Sequence, residues 1–106
     1  MNESLKSSVG PGRTNDPQDV SVVQYLLNAA MDRVGSLEDR LEVDGIFGPK
    51  TLAAIRAFQQ EHTKVVDGRV DPNMETIVAL NREAGHFISL FNGHYLEPKL
   101  PPKRVG

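Results

Sequence analysis

Cysteine and tryptophan are both absent from this chain of 106 residues. Without cysteine the chain can form no disulfide framework, no thiolate zinc site and no cysteine nucleophile. Its charges nearly cancel, with 12 Lys and Arg against 14 Asp and Glu, so it lacks the basic excess typical of nucleic-acid binders. No apolar run approaches the roughly 18 residues that a membrane span needs. What remains is a small globular protein whose length allows one domain.

The two ends of the chain differ in composition from its middle. The first stretch is rich in Ser, Gly and Pro and predicts an N-terminal arm over residues 1–15, with no apolar segment of the kind that a signal peptide contains. The last stretch is rich in Pro and basic residues, which predicts an extension or linker over residues 86–106. The foldable part therefore lies at residues 16–85.

Proline at the first helical position marks the helix starts. It is tolerated there because an N–H at that position would have no partner within the helix. Pro17 begins a helix that the apolar spacing extends to about Val34, and Pro49 begins a second that ends near His62. The predicted buried faces are Val20, Val23, Leu27, Ala30, Met31 and Val34 in the first helix, and Leu52, Ala54, Ile55, Ala57 and Phe58 in the second.

A third helix is predicted to start at Asp71-Pro72 and to close at Gly85. Its predicted buried residues are Met74, Ile77, Val78 and Leu80. The short apolar segment Phe87–Phe91 is expected to dock as an extra strand or turn. Together these elements predict an all-α fold, a small three-helix bundle with Asp-Gly turns between helices and extended terminal arms.

A short internal repeat precedes the second and third helices. Val43–Pro49 and Val66–Pro72 share the pattern V-D-G-x-apolar-[GD]-P, offset by 23 residues. The aspartate can accept backbone N–H bonds within its own turn, and the glycine supplies a positive φ. The repeat therefore predicts the same tight turn twice.

No set of residues in the sequence has the spacing of a catalytic or metal site. The three histidines show no H-E-x-x-H spacing, and no serine sits in a G-x-S-x-G elbow. The calcium-loop pattern is missing around Asp44 and Asp67, which favours a turn-forming role for both. A cluster of carboxylates before the second helix is read as a solvated loop, with a polar ligand contact as the alternative: Glu38, Asp39, Glu42 and Asp44. We expect no enzyme activity, no cofactor and no metal.

Three blocks of sequence resemble the three-helix type of bacterial peptidoglycan-binding domain. They are D-V-x-x-V-Q-x-L-L-N from Asp19, V-D-G-I-F-G-P-K-T-x-x-A-I-x-x-F-Q from Val43, and D-G-x-V-D-P-x-x-x-T-x-x-x-L-N from Asp67. The segment from Ser8 to Asn15 also resembles a variant found in phage lysins and antibacterial effectors. The resemblance implies a non-catalytic module that tethers a cell-wall enzyme to peptidoglycan.

The ligand site is expected where this resemblance is densest. The predicted ligand-binding residues are Gln24, Asn28, Asp44, Gly45, Ile46, Phe47, Gly48 and Thr51. The turn from Asp44 to Thr51 places N–H groups at a helix start, which favours a carboxylate. Gln24 and Asn28 lie four residues apart beside it. Three structural alternatives stay open, namely a buried hydrogen bond to a loop for Gln24, core packing for Phe47, and backbone geometry for the two glycines.

The resemblance makes peptidoglycan the expected partner, together with a fused or separate hydrolase or effector, and neither nucleic acid nor a membrane span is expected. The expected location is the bacterial cell envelope or the periplasm of a target cell, reached from the cytoplasm without an N-terminal signal peptide. The main alternative is a protein-interaction, secretion-loading or pro-domain module on the same fold. An enzyme is the third alternative.

Overall fold

The chain forms three helices, as a computed structural model describes it over residues 2–32 and 40–90. They are α1 (Pro17–Asp32), α2 (Pro49–His62) and α3 (Glu75–Leu90). The described part contains no strand, only an isolated antiparallel bridge between Val9 and Val70. The predicted all-α three-helix class is therefore confirmed. The predicted end of the first helix at Val34 lies outside the described residues.

Helix α1 is the central element of the core. Its predicted positions Val20, Val23, Leu27 and Ala30 are buried, but so are residues on its other faces. These additional buried apolar residues are Val22, Tyr25, Leu26 and Ala29. A helix that is apolar on every side is covered on every side. Here α3, α2 and the N-terminal residues cover it, α3 more extensively than α2.

Helix α2 is amphipathic and begins and ends where the sequence predicts. Ile55 and Phe58 are buried and face the core, and Ala54 is partly buried against it. The prediction for Ala57 was wrong, because this residue is exposed. Polar side chains take part of the inward face instead, since Thr51 and Gln59 are both buried.

Helix α3 corrects the sequence prediction at both ends. Asp71 and Pro72 precede it in a turn that passes through Asn73 with a positive φ of 61°, and the helix starts only at Glu75. It continues through Gly85 to Leu90, so residues 87–90 are helical rather than an extra strand or turn. The glycine does not end the helix because the apolar pattern of Ala84, Phe87 and Ile88 continues beyond it.

The later start of α3 shifts its inward face. Ile77 and Leu80 are buried as predicted, with Ala79 and Ala84 beside them. Met74 and Val78 were wrongly predicted as buried, because they are 59% and 55% exposed. Met74 lies in the turn, so its side chain does not share the helical register on which the prediction depended.

Residues of the predicted N-terminal arm pack on the bundle. Leu5 and Val9 are buried in the core, and Val9 exchanges two backbone hydrogen bonds with Val70, at 3.0 and 2.8 Å. The carboxylate of Asp19, buried on α1, accepts bonds from the amides of Lys6 and Ser7 and from the Ser7 hydroxyl. The arm thereby covers a face of α1 that would otherwise expose apolar surface. The domain boundaries at residues 15 and 85 stay predictions.

Two neighbouring residues of α3 test this register. Ile77→Ala should lower the free energy of unfolding by about 2–4 kcal/mol, because it leaves a cavity in the core. Val78→Ala, at an exposed position, should change it by less than about 0.5 kcal/mol. Urea unfolding followed by circular dichroism measures both. Equal losses in the two variants would contradict the assigned inward face.

Candidate ligand-binding grooves

A buried glutamine of α1 holds the turn before α2. The Gln24 side-chain amide, 1% exposed, donates to the Asp44 carboxylate at 3.1 Å, the Ile46 carbonyl at 3.2 Å and the Thr51 hydroxyl at 3.1 Å. Its carbonyl oxygen accepts the Gly45 N–H at 3.0 Å. One side chain therefore joins α1, the turn and the first turn of α2.

The turn before α3 is held in the same way by Gln59 of α2. Its amide donates to the Asp67 carboxylate, the Arg69 carbonyl and the Thr76 hydroxyl at 3.0, 3.0 and 3.1 Å, and its carbonyl oxygen accepts the Gly68 N–H at 2.8 Å. The four partners match those of the first turn one for one. The short sequence repeat is thus part of a larger structural repeat of helix, turn and helix, in which α2 belongs to both copies.

The two glycines of these turns have the backbone conformation that the repeat predicts. Gly45 has a φ of +75° and Gly68 a φ of +73°. A Cβ at Gly45 would also lie 2.9 Å from the carbonyl oxygen of Pro17, so the turn approaches α1 too closely for a side chain. In each turn the aspartate accepts the N–H two residues ahead, from Ile46 at 3.0 Å and from Arg69 at 2.9 Å. Both Asp-Gly turns therefore have the predicted local chemistry.

A groove of about 330 Å³ opens beside the first turn, and we call it the first groove. It is lined by Gln24, Arg40, Leu41, Glu42, Asp44, Ile46, Gly48, Pro49, Lys50 and Thr51. Five of the eight predicted ligand-binding residues are thus brought together around one opening. Its volume lies within the range of small-molecule sites.

Asn28, Gly45 and Phe47 do not line the first groove. The Asn28 side chain donates to the carbonyl and accepts from the N–H of Leu41, both at 2.8 Å. It therefore fixes the loop that forms one wall. Gly45 is buried against α1, and Phe47 is partly buried against the core. For both, the structural alternative describes the observed position.

The first groove also contains residues outside the predicted set. Lys50 could have been identified from its place directly after the helix-starting proline, because it shares the helix end with Thr51. Glu42 belongs to the carboxylate cluster for which a polar ligand contact was the alternative, whereas Arg40 and Leu41 had no comparable signal. Their position depends on the Asn28–Leu41 hydrogen bonds, which span 13 residues of sequence.

A smaller groove of about 240 Å³ lies beside the second turn, and we call it the second groove. It is lined by Gln59, Val65, Asp67, Arg69, Asp71, Met74, Glu75 and Thr76. The two grooves have four equivalent lining positions. In each groove they are a glutamine, an aspartate, the residue after the turn glycine and a threonine. The other lining residues differ between the two grooves, and so does the net charge of the lining.

Hydrogen bonds lower the pKa of both turn aspartates. The N–H of Ile46, followed by the Gln24 amide, lowers the pKa of Asp44 below its ordinary value of 3.8. Burial acts to raise the pKa of Asp67, but the Arg69 N–H, the Gln59 amide and the Arg69 charge outweigh it and lower this pKa as well. Both side chains are carboxylates at neutral pH and act as acceptors only.

Among the described residues no group of His, Asp and Glu could hold a metal ion. Within the same part of the chain, no helix is long and apolar enough to cross a membrane.

We expect the two glutamines to contribute equally to the free energy of unfolding. Gln59→Ala should lower the free energy of unfolding by about 2–4 kcal/mol, because it leaves a buried N–H and several acceptors without a partner. Gln24→Ala should act similarly. Gln60→Ala is the matched control, since this neighbour is exposed, and should change stability by less than about 0.5 kcal/mol. If Gln59→Ala and Gln60→Ala unfold at the same urea concentration, the glutamine does not hold the turn.

The turn aspartates should also make stability depend on acid pH. A carboxyl whose pKa is lower in the folded state stabilises it above the unfolded pKa, and this contribution is lost as pH falls through the folded pKa. The chain should therefore lose stability below about pH 3.8. The double variant Asp44→Asn/Asp67→Asn should lose less over the same range than Glu61→Gln, a change of an exposed carboxylate. Urea midpoints at pH 7, 4 and 3 measure this difference, and parallel pH curves would contradict it.

Comparison with known families gives a match to most of the described helical part of the chain. The family model described as "Putative peptidoglycan binding domain" matches residues 16–78, which contain α1, α2, both turns and the start of α3. No curated protein and no solved structure shows significant similarity to the chain. The family match covers more than half of the sequence and agrees with the resemblance noted from its motifs. The chain therefore belongs to the family of peptidoglycan-binding domains.

Proposed function

We propose that this chain is a non-catalytic peptidoglycan-binding module, and that it directs a cell-wall hydrolase or an antibacterial effector, fused or separate, to the bacterial wall. Family membership supports binding to peptidoglycan, and the first groove offers a place for it. On this proposal the module acts in the cell envelope, or in the periplasm of a target cell, and is cytoplasmic before export.

The start of α2 supports a carboxylate as the group that the first groove receives. Gly48 provides no side-chain cap, and Pro49 has no N–H, so the amides of Lys50 and Thr51 have no partner within the helix. The positive end of the helix dipole lies there too. The exposed Lys50 adds an ammonium group beside these amides. Peptidoglycan stem peptides carry carboxylates that such a site can bind.

An exposed apolar side chain supports a second contact in the same groove. Ile46 is 68% exposed, although it lies in a turn whose backbone is fixed by Gln24 and Asp44. Because its carbonyl and N–H are both bonded, its Cβ has a fixed position on the groove wall. It can pack against the methyl group of an N-acetyl sugar or an alanine. The chain has no tryptophan and only 6% aromatic residues, so stacking on sugar rings contributes little.

The state of the Asp44 carboxylate supports binding without cleavage. Glycoside hydrolysis uses a carboxylic acid that keeps its proton near neutral pH, which requires a raised pKa. Asp44 has a lowered pKa, and Gln24 and the Ile46 N–H already engage its Oδ1. It is suited to holding a turn and accepting hydrogen bonds, not to donating a proton.

Sedimentation with purified, insoluble sacculi tests the proposal. The wild-type chain should sediment with them and release no soluble muropeptides. Lys50→Glu should weaken this binding about fivefold, because it replaces one of the two cations of the first groove with an anion. Lys6→Glu is the matched control, since it reverses the same charge at an exposed position outside both grooves, and should bind like the wild type.

Each negative result has a distinct meaning. A chain that stays in solution at high sacculus concentration contradicts peptidoglycan binding. Released muropeptides contradict the non-catalytic role. Equal binding of Lys50→Glu and Lys6→Glu moves the site away from the first groove while the function stands.

A protein-interaction module on the same fold is the second candidate. Among the residues whose side chains the structure describes, four large apolar ones outside the first groove are exposed, namely Val65, Val66, Met74 and Val78. Exposed apolar surface of this kind is typical of contact with another protein. Failure to sediment with sacculi would favour this candidate over the first.

A further inference from the structure

We infer that the second groove is a separate subsite of the same module and binds an ammonium group at the end of a short aliphatic chain, such as the diamino acid of a peptidoglycan stem peptide. This inference deepens the proposed function and rests on it. It begins from the structural repeat, which builds two grooves on one plan. Gln59, Asp67, Arg69 and Thr76 take the positions that Gln24, Asp44, Ile46 and Thr51 take in the first groove.

The charge around the second groove differs from that around the first. The first groove has two basic residues, Arg40 and Lys50, against two acidic residues, Glu42 and Asp44. The lining of the second groove is acidic in excess, with three carboxylates and one guanidinium. Both grooves lie at a helix start, but the residue before the shared threonine is Lys50 in the first and Glu75 in the second. The full negative charge of Glu75 exceeds the partial positive charge of the helix end, so the second groove suits a cation where the first suits a carboxylate.

The single guanidinium of the second groove is already paired. Arg69 Nε lies 2.9 Å from Asp71 Oδ2, and its terminal nitrogen lies 3.8 Å from Asp67 Oδ2. Asp71 Oδ1 accepts the Ser8 hydroxyl at 2.6 Å. Glu75 is different, because Oε2 accepts the Lys64 N–H at the long distance of 3.3 Å. None of these contacts brings a side-chain cation to Glu75. Glu75 is therefore the carboxylate that an incoming ammonium would meet.

Apolar side chains beside Glu75 complete the match. Val65 and Met74 line the same groove and are 58% and 59% exposed. Methylene groups of an aliphatic chain can pack against them while the ammonium at its end reaches the carboxylate. The flexible thioether of Met74 adapts to the shape of such a chain. The smaller volume of the second groove, about 240 Å³, suits a side chain better than a disaccharide.

Charge reversal at Glu75 tests the second groove in the full-length chain. Glu75→Lys should weaken sedimentation with native sacculi about fivefold, because it places a cation where the ligand's ammonium would lie. Glu61→Lys, at an exposed position of α2 outside both grooves, is the matched control and should bind like the wild type. Glu75→Gln keeps an acceptor for the Lys64 N–H and should weaken binding about twofold. Thermal unfolding of each variant checks that it is folded.

Sacculi whose amines have been capped with acetic anhydride identify the ligand group. Capping should reduce wild-type binding about fivefold, to the level of Glu75→Lys, and should leave Glu75→Lys itself unchanged. Lys50→Glu should still respond to capping, since it alters the other groove.

Two results would overturn the inference while the proposed function stands. One is equal binding of Glu75→Lys and Glu61→Lys to native sacculi. The other is an equal loss on amine capping for the wild type and Glu75→Lys. A wild-type chain that does not sediment at all would overturn the proposed function, and the second groove with it.

Discussion

The buried amide of a glutamine is the interaction on which each of the two Asp-Gly turns depends. An unpaired amide inside a protein costs more free energy than a paired one returns, so a buried glutamine is stable only when its hydrogen bonds are made. Gln24 and Gln59 each have four partners, and those partners come from two successive elements of the chain. Each glutamine therefore requires one relative placement of its helix, the following turn and the next helix.

This requirement separates the residues that build a groove from those that can meet a ligand. The Gln24 amide holds the turn, and the Asn28 side chain donates to and accepts from the backbone of Leu41. Ile46 and Lys50 owe their positions to those bonds, while their side chains extend into solvent. The polar residues nearest to the site are thus structural, and the exposed residues around them are the ones that a ligand would contact.

The helices could be predicted from the sequence where the start signal and the apolar period agree. Pro49 and His62 bound α2 as predicted, because a proline marks its start and a β-branched segment follows its end. For α3 the proline signal was misleading. Pro72 belongs to a turn that includes Asn73 in a left-handed conformation, and the helix begins only after it. A local proline does not distinguish these two uses, since both place it at φ near −65°.

The site could be predicted only in part, for a related reason. The Asp-Gly turns have a local signature, so Asp44 and its neighbours were found. The contact between Asn28 and Leu41, and the burial of Leu5 and Val9 on the bundle, join parts of the chain that are far apart in sequence. Neither hydrophobic periodicity nor motif spacing predicts contacts between such distant parts of the sequence. The two glutamines could be predicted in part. Each follows an apolar core residue and belongs to a family motif, but the sequence did not show that each one holds a turn of the structural repeat.

Sharing α2 between the two copies of the repeat has a consequence for binding. Thr51 closes the first turn and Gln59 holds the second, eight residues farther along the same helix, which corresponds to about 12 Å of helical rise. The two grooves are thus fixed at one separation, without a flexible linker between them. On the proposed role, a polymer that repeats carboxylates and amines along its length could occupy both grooves at once. The second contact would then form at high effective concentration, so two shallow grooves with weak individual affinity could still hold the module on the wall.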